Sequence, residues 1–161
     1  MLRLSKKAEY ALMALKDLAL RPESEAASAR EIAERYEIPH EVMAKVLQRL
    51  AKQHLVTSQH GTRGGYFLAR SPSLISVAEA IEAIDGPVTV TVCSSLDDDC
   101  DQYATCTIRD PLWRIKDLLV QALTSYSLQA FSIDQVPLVP ISLSTRASTT
   151  ETPVQVPAES H

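Results

Sequence analysis

The sequence predicts a mainly α-helical protein with a small β-hairpin, arranged as a winged helix-turn-helix domain followed by a long dimerisation helix. Three observations predict this fold class. Apolar residues recur at helical spacing in several segments, a glycine-rich turn separates two short β-type runs, and only 5% of the residues are aromatic. At 161 residues, the chain fits one domain with accessory helices and a tail.

The first two predicted helices are amphipathic. Ser5 is a suitable N-cap for a helix that extends to about Leu20 with one apolar face. Ser28 and Glu31 form an S-x-x-E capping box at the start of a second, shorter helix. This helix ends before Pro39, because proline disfavours helical geometry in the residue that precedes it.

A third helix, from Pro39 to about His54, completes a helix-turn-helix. Its inward positions are apolar at helical spacing, and its outward positions carry residue types that contact bases and phosphates. A plain helical hairpin is the alternative that the spacing leaves open. The outward residues are His40, Glu41, Ala44, Lys45, Gln48, Arg49 and Lys52.

A β-hairpin is predicted directly after the third helix. Residues 55–58 indicate a strand, residues 60–65 a glycine-rich turn and residues 66–68 the returning strand. A hairpin in this place is a wing, and His60 and Arg63 at its tip are positioned to enter a minor groove or to contact phosphate. A phosphate-cradling loop is the rival interpretation, but GTRGG lacks the Lys-Ser/Thr ending of a P-loop.

Two further helices are predicted. Residues 76–85 form a short amphipathic helix that Gly86-Pro87 ends. A long helix starts at Asp110-Pro111, as N-cap and first residue, and runs to about Tyr126. Its two apolar rows favour burial against both its own domain and a second copy of the chain. These rows are Leu112, Ile115, Leu119, Ala122 and Tyr126 in one, and Trp113, Leu118, Val120 and Leu123 in the other.

All three cysteines lie in the segment VCSSLDDDCDQYATC, with the spacing C-x6-C-x5-C. In a reducing compartment, clustered cysteines are more often metal ligands or redox sensors than structural disulfides. A structural zinc site usually shows a closer cysteine pair. Wider spacings suit an iron–sulfur cluster, although Cys93, Cys100 and Cys106 are one ligand short of the usual four. Free, partly buried thiols are the alternative.

Charge is distributed unevenly along the chain. Residues 1–70 carry 12 Lys and Arg against 8 Asp and Glu, whereas residues 71–161 carry 4 against 12. The basic half suits a polyanion, with an ordinary mixed surface as the alternative. No apolar run is long enough to span a bilayer, and the N-terminus lacks the features of a signal peptide. We therefore expect a cytoplasmic protein without membrane contact.

The order of these parts resembles a known family. The chain carries in sequence MLRLSKKAEYAL, EIAERYEIPHEVMAKVLQRLAKQHLV, HGTRGGYFLAR, SVAEAIEAIDG, three loop cysteines and DPLWRIKDLL. Over residues 1–131 it resembles the bacterial winged-helix regulators typified by the iron–sulfur cluster regulator IscR and the nitric-oxide sensor NsrR. The resemblance implies a homodimer formed through the long helix, a cluster in each subunit and a palindromic operator in double-stranded DNA.

The resemblance also implies ligands for a [2Fe-2S] or [4Fe-4S] cluster. Cys93, Cys100 and Cys106 match the three cysteine ligands of the family. The IscR-like branch adds a histidine three residues after the last cysteine, where this chain has Arg109. The NsrR-like branch adds, from the other subunit, an acidic residue just before the tyrosine of the first helix, where this chain has Glu9. A surface carboxylate is the alternative role for Glu9.

The sequence therefore predicts a transcription regulator, and no constellation that would make it an enzyme. We expect a repressor whose operator binding depends on a cluster that senses nitric oxide, redox state or iron–sulfur supply. The alternatives are a metal-free switch, in which two of the loop cysteines form a disulfide, and a metal-binding protein that has lost DNA binding. The better-known recognition helix of the family has a glutamate where this chain has Ala44, so its operator preference does not transfer.

The predicted organisation has four parts. Residues 1–86 form the DNA-binding domain, 87–109 the cysteine-rich loop, 110–133 the dimerisation helix with a following turn, and 134–161 a disordered tail without helical or strand periodicity. The candidate DNA contacts are Ser5, Lys6, Ser28, His40, Glu41, Lys45, Gln48, His60 and Arg63.

Overall fold

Helices and one β-hairpin follow each other in the predicted order, which confirms the fold class. The computed structural model describes residues 3–22, 25–61, 64–91, 101–102 and 104–132. The predicted tail and the predicted site residues Cys93, Cys100 and Arg63 lie outside these ranges. The elements are α1 (Lys6–Ala19), α2 (Ala29–Arg35), α3 (His40–Lys52), β1 (Val56–Gln59), β2 (Gly65–Leu68), α4 (Val77–Asp85), α5 (Arg109–Ser125) and α6 (Leu128–Ser132), with a 3₁₀ turn at Pro72–Leu74.

Serine side chains cap the starts of α1, α2 and α4, and the cap of α4 is a full capping box. At α4, the Ser76 hydroxyl accepts from the Glu79 N–H at 3.1 Å, and Glu79 accepts from the Ser76 N–H at 2.8 Å. At α2, Ser28 accepts from the Glu31 N–H at 3.1 Å, as predicted. The Glu31 carboxylate, however, accepts from Arg21 at 2.6 Å. The second half of the expected box is thus replaced by an ion pair.

A left-handed residue makes the turn between α2 and α3. Glu37 has φ of 53°, and the Ile38 N–H donates to the Ala33 carbonyl at 2.9 Å, which is the hydrogen-bond pattern of a Schellman stop. The Ile38 side chain is buried, and Pro39 then serves as the N-cap of α3, one position before its expected place. The tight break of a helix-turn-helix is formed here without glycine.

The core lies between α1, α2, α3 and α4. The two four-residue strands of the wing pair in antiparallel register, with Val56 opposite Leu68 and Gln59 opposite Gly65. The C-terminal helix α6 also packs back on this core. Leu128 is fully buried, and its N–H donates to the Ile75 carbonyl at 2.7 Å. The largest fully buried apolar side chains are Leu15, Ile32, Met43, Leu47, Leu50, Leu55, Ile75, Leu128 and Val56.

Helix α5 differs from the others in that none of its residues is buried. It begins at Arg109 with Ile108 as N-cap, so the expected N-cap role of Asp110 is wrong. The Asp110 carboxylate accepts instead from the Arg109 Nε at 2.8 Å. Among the residues that the structure describes, no helix is long and apolar enough to cross a membrane.

Candidate nucleic-acid interface and cysteine site

Helix α3 separates its apolar and polar residues onto two faces, as its spacing predicts. Met43, Val46, Leu47 and Leu50 are buried against the core. On the opposite face, the four candidate contact residues of this helix are all exposed. They are His40, Glu41, Lys45 and Gln48. The outward row carries residue types that contact base edges and phosphates in a major groove.

A basic cleft joins this helix to the start of α1. We use the term basic cleft for the groove lined by Ser5, Lys6, Lys7, Lys45, Val46, Arg49, Ile84 and Asp85. Four of these side chains are cationic, and they come from two elements that are far apart in sequence. Lysine and arginine side chains supply most protein contacts to nucleic-acid phosphates. Sequence reasoning selected Ser5, Lys6 and Lys45 here but missed Lys7, since only the fold shows that it lines the same groove.

The last turn of α4 holds both walls of the basic cleft. From α1, the Ser5 hydroxyl donates to Asp85 Oδ1 at 2.5 Å, and the Ser5 backbone N–H donates to Oδ2 at 3.1 Å. From α3, the Arg49 Nε donates to the Ala83 carbonyl at 2.9 Å. Ser5 and Arg49 therefore fix the shape of the groove in this conformation. Ser5 and Asp85 are 80 residues apart in the chain, and Arg49 and Ala83 are 34 residues apart.

The wing is attached to the start of α2. Ala27 and Tyr66 exchange two backbone hydrogen bonds, at 2.9 Å and 2.8 Å, which places Ser28 beside β2. This approach requires glycine at position 65, because a Cβ there would lie 2.6 Å from the Ala27 carbonyl oxygen. His60 is exposed at the start of the hairpin loop. Ser28 therefore lies next to the hairpin that carries His60.

A buried carboxylate connects α1 to α2. Asp17 is 2% exposed and accepts from Arg21 at 2.8 Å and from Arg35. Burial alone lowers the pKa of the Arg21 guanidinium, but its hydrogen bonds to Glu31 and Asp17 outweigh this and raise it. Burial, together with the neighbouring Asp17 charge, raises the pKa of the Tyr36 phenol. The helical pattern gave no signal for this cluster, because charged residues are expected to lie outward.

Only one of the three predicted cysteine ligands lies in the described part of the chain. Cys106 is half-buried, three residues before Arg109. Arg109 pairs with Asp110, and its guanidinium carbon lies 5.8 Å from the centre of the Trp113 ring. A guanidinium stays protonated and offers no lone pair, so Arg109 cannot act as the histidine ligand of the IscR-like branch. Within the described ranges, no group of three or more His, Cys, Asp and Glu side chains is placed to hold a metal ion.

Glu9 lies on the side of α1 that faces away from the core. Its side chain is 35% exposed and accepts from the Lys6 ammonium at 2.6 Å. This hydrogen bond raises the pKa of the Lys6 ammonium. Met13, one helical turn further along, is also exposed. A carboxylate in this position is accessible to a second molecule, and its oxygens are hard donors, unlike the soft thiolates of cysteine.

The Rrf2 family, described as an iron-dependent transcriptional regulator, matches residues 4–133. The helix-turn-helix-type transcriptional regulator ORF2 of Azotobacter vinelandii is 38% identical over 105 residues, which cover 65% of this chain and 63% of that protein. The chain therefore spans less than two thirds of this relative. The transcriptional regulator IscR of Photorhabdus laumondii is 35% identical over 129 residues, which cover 80% of this chain and 77% of that protein.

Two solved structures have the same fold. One is CymR of B. subtilis, the global cysteine regulator, with a TM-score of 0.66 and 26% identity over 83% of this chain and 98% of that chain. The other is T. potens IscR, with a TM-score of 0.65 and 27% identity over 83% of this chain and 88% of that chain. All four of these similar proteins are regulators, and none is an enzyme.

Proposed function

Because the chain belongs to the Rrf2 family of DNA-binding transcriptional regulators, we propose that it acts as a homodimeric repressor at a palindromic operator, under the control of an iron–sulfur cluster. The observation that carries the DNA-binding part is the basic cleft. It combines the exposed face of α3 with the N-terminal lysines of α1. The cluster part rests on the three cysteines and on the similarity to IscR.

In this proposal, α3 reads the major groove and the basic cleft holds the phosphate backbone. His40, Glu41 and Gln48 contact base edges, and Lys45 contacts a phosphate at the rim. Ser28 and the wing residues His60 and Arg63 contact the flanking backbone or minor groove. The exposure of the α3 face and the attachment of the wing to Ala27 support this arrangement.

A Lys45→Ala substitution tests the DNA-binding part. We expect it to weaken operator binding about tenfold at moderate salt. It should also reduce the steepness of the plot of log affinity against log salt concentration by about one, as for the loss of one phosphate contact. The matched control is Arg114→Ala, which removes one exposed positive charge from α5. Fluorescence anisotropy at several salt concentrations measures both quantities. Equal losses in the two variants would contradict a local contact of Lys45.

Helix α5 supports the homodimer. Its residues Trp113, Ile115 and Leu118 are 37%, 46% and 39% exposed. Its length of 17 residues is enough for a continuous contact with a second helix. Large apolar side chains that a helix exposes together are normally covered in the functional assembly. A symmetric pair of α5 helices places the two α3 helices about a twofold axis, which matches a palindromic operator.

The proposed ligands are Cys93, Cys100 and Cys106 from one subunit and Glu9 from the other. When bound, the cluster supplies iron that responds to oxidants or nitric oxide. The chain's own contribution is a tether, because the Glu9 carboxylate would connect α1 of one subunit to the cysteine segment of its partner. The outward position of Glu9 supports this role, and ligation would exchange its ion pair with Lys6 for an iron contact.

Anaerobic purification and reconstitution test the cluster. We expect iron and acid-labile sulfide in equal amounts, together with visible absorption that bleaches on exposure to nitric oxide. Protein that stays colourless and iron-free after reconstitution would contradict the cluster but not DNA binding. For Glu9, we expect Glu9→Gln to lose the cluster faster than the wild type, whereas Glu34→Gln, which alters another ion-paired surface carboxylate, leaves the rate unchanged.

A second candidate is a metal-free thiol switch. The similarity to a global cysteine regulator over 98% of its length favours it. Two cysteine thiols would lose two protons and two electrons to an oxidant such as hydrogen peroxide, with formation of one S–S bond. Mass spectrometry of peroxide-treated apoprotein distinguishes the candidates, because a specific, reducible disulfide that changes operator affinity would support the switch. An unchanged affinity after oxidation would contradict it.

A further inference from the structure

We infer that Asp85 is a positioning residue that couples the DNA-binding surface to the segment that carries the cysteines. This inference rests on the proposed function, since it needs two states of that segment. Asp85 is the last residue of α4, and Cys93 follows eight residues later in the chain. The same side chain lines the basic cleft. Asp85 therefore belongs to the proposed reading surface and lies only eight residues before the first proposed cluster ligand in the chain.

The carboxylate of Asp85 faces the N-terminus of α1. It accepts two hydrogen bonds from Ser5, one from the hydroxyl at 2.5 Å and one from the backbone N–H at 3.1 Å. A negative charge is unfavourable at the C-terminus of its own helix but favourable at the N-terminus of another. The position of Asp85 is therefore explained by α1 and not by the stability of α4.

A hydrogen bond from α3, the helix proposed to read DNA, also ends on the last turn of α4. Arg49 of α3 donates to the Ala83 carbonyl at 2.9 Å, two residues before Asp85. The last turn of α4 thus contacts both walls of the basic cleft. If that turn moves, Lys6 and Lys7 on one wall change position relative to Lys45 on the other. A phosphate backbone that needs both walls would then bind less tightly.

The chain that leaves α4 is also in contact with the start of the protein. Gly86 ends the helix with φ of 82°, and the following residues 87–90 line an apolar cavity of about 510 Å³. Arg3 and Leu4, directly before Ser5, line the same cavity, as do Leu119 and Leu123 of α5. Asp85 lines it too. A rearrangement of the cysteine segment therefore reaches Asp85 through contiguous residues.

A charge-matched pair of variants tests the inference. Asp85→Ala removes the link to Ser5, and Glu82→Ala removes an exposed carboxylate one turn earlier in α4. The operator dissociation constant is measured with the cysteines in two states, cluster-loaded and apo, and the ratio of the two constants is the coupling. Couplings of this kind are typically about 5- to 150-fold. We expect Asp85→Ala to bring the ratio to within about twofold of one, and Glu82→Ala to keep the wild-type ratio.

The absorption spectrum of the cluster separates positioning from ligation. We expect Asp85→Ala to keep the wild-type spectrum and iron content, because Asp85 acts through Ser5. Asp85→Asn retains one acceptor oxygen and the volume of the side chain, so we expect an intermediate ratio. It replaces Asp85→Ala as the test variant if Asp85→Ala folds poorly. A wild-type ratio in both Asp85 variants, equal losses in Glu82→Ala, or loss of the cluster spectrum would each overturn the inference.

The same measurements distinguish failure of the inference from failure of the proposed function. If the wild type holds no iron, the cluster proposal fails, and the ratio is measured between the reduced and the peroxide-oxidised thiols. Asp85→Ala then supports or overturns the coupling in that pair of states. If wild-type affinity is the same in every state, there is no coupling, and both the regulatory proposal and the role of Asp85 are overturned.

Discussion

The winged helix-turn-helix and α5 cover their apolar residues to very different extents. In the first region, α1, α3 and α4 each bury at least four residues, and core side chains such as Leu15 and Leu47 have no exposed area. In α5, no residue is buried, and Ile115 is 46% exposed. The difference indicates that the DNA-binding region is stabilised within one chain, and it is the observation behind the proposed pairing of α5 with a second chain.

The ion pairs differ in the same way. Asp17 in the first region is 2% exposed and pairs with Arg21, whose side chain is 8% exposed. In α5, the pair of Lys116 and Asp117 is on the surface, with Asp117 73% exposed. Buried pairs are costly to break, and surface pairs contribute little to stability. Substitutions in the first region should therefore change the free energy of unfolding, and substitutions in α5 should change the dissociation constant of the dimer.

The largest expected effect is on folding, from Asp17→Ala. This change leaves Arg21 buried with one carboxylate partner fewer, so we expect the free energy of unfolding to fall by about 3–5 kcal/mol. Urea denaturation followed by circular dichroism measures it. The control Glu34→Ala breaks the exposed Arg30–Glu34 pair and should cost no more than about 0.5 kcal/mol. Similar losses in the two variants would show that the Asp17 cluster does not lock α1 to α2.

The next effect is on assembly, from Ile115→Glu in α5. A charge in an apolar helix contact, together with the loss of the isoleucine contact, should weaken the dimer by about 2–3 kcal/mol per substituted side chain. Analytical ultracentrifugation measures the dissociation constant, while the helical content of the first region should be retained. Gln121→Glu adds the same charge at an exposed polar position of α5 and should leave the dimer intact. A wild-type protein that is monomeric at all concentrations would contradict the interpretation of α5.

A smaller effect is expected at a helix start. Ser76→Ala removes the acceptor for the Glu79 N–H and half of the capping box, so we expect a loss of about 1 kcal/mol. Ser73→Ala, at an exposed serine three residues earlier, should change stability by less than about 0.5 kcal/mol. Thermal or urea unfolding of both variants gives the comparison. Equal stability of Ser76→Ala and the wild type would argue that water replaces the cap.

Elements whose stability is local were predictable from sequence. The periodicity of apolar residues located α1 to α5, and the glycine-rich turn located the hairpin, because both depend on neighbouring residues. Helix α6 was expected only as a turn. The turn at Glu37 was marked only by Pro39, since its left-handed residue is not glycine. The start of α5 was misplaced because Asp110 uses its carboxylate on Arg109 and not as a cap.

The candidate site was predictable only in part, because its geometry comes from long-range contacts. The polar face of α3 follows directly from helical spacing. The bonds of Ser5 to Asp85 and of Arg49 to Ala83 join residues whose separation leaves no periodic signal. Asp17 is hidden for a related reason, since its burial depends on arginines from a loop and from α2. The roles of the three cysteines and of Glu9 stay predictions.

The smallest expected effect is the pH dependence from Glu79, again in the first region. Burial raises the pKa of this carboxyl, but hydrogen bonds from the Ser76 N–H and from Arg70 outweigh it and hold the pKa below its ordinary value of 4.5. A lowered pKa gives stability that is present above about pH 4.5 and is lost as the pH falls through the folded-state value. Glu79→Gln should therefore be less stable than the wild type near neutral pH, and this gap should shrink in acid. Urea unfolding at about pH 6.5 and about pH 3.5 measures the gap.

In an Arg70→Met background the stability gap caused by Glu79→Gln should be narrower, because one of the groups that lowers the pKa of Glu79 is gone. A gap that is the same at both pH values would show that the carboxylate charge does not contribute at this helix start.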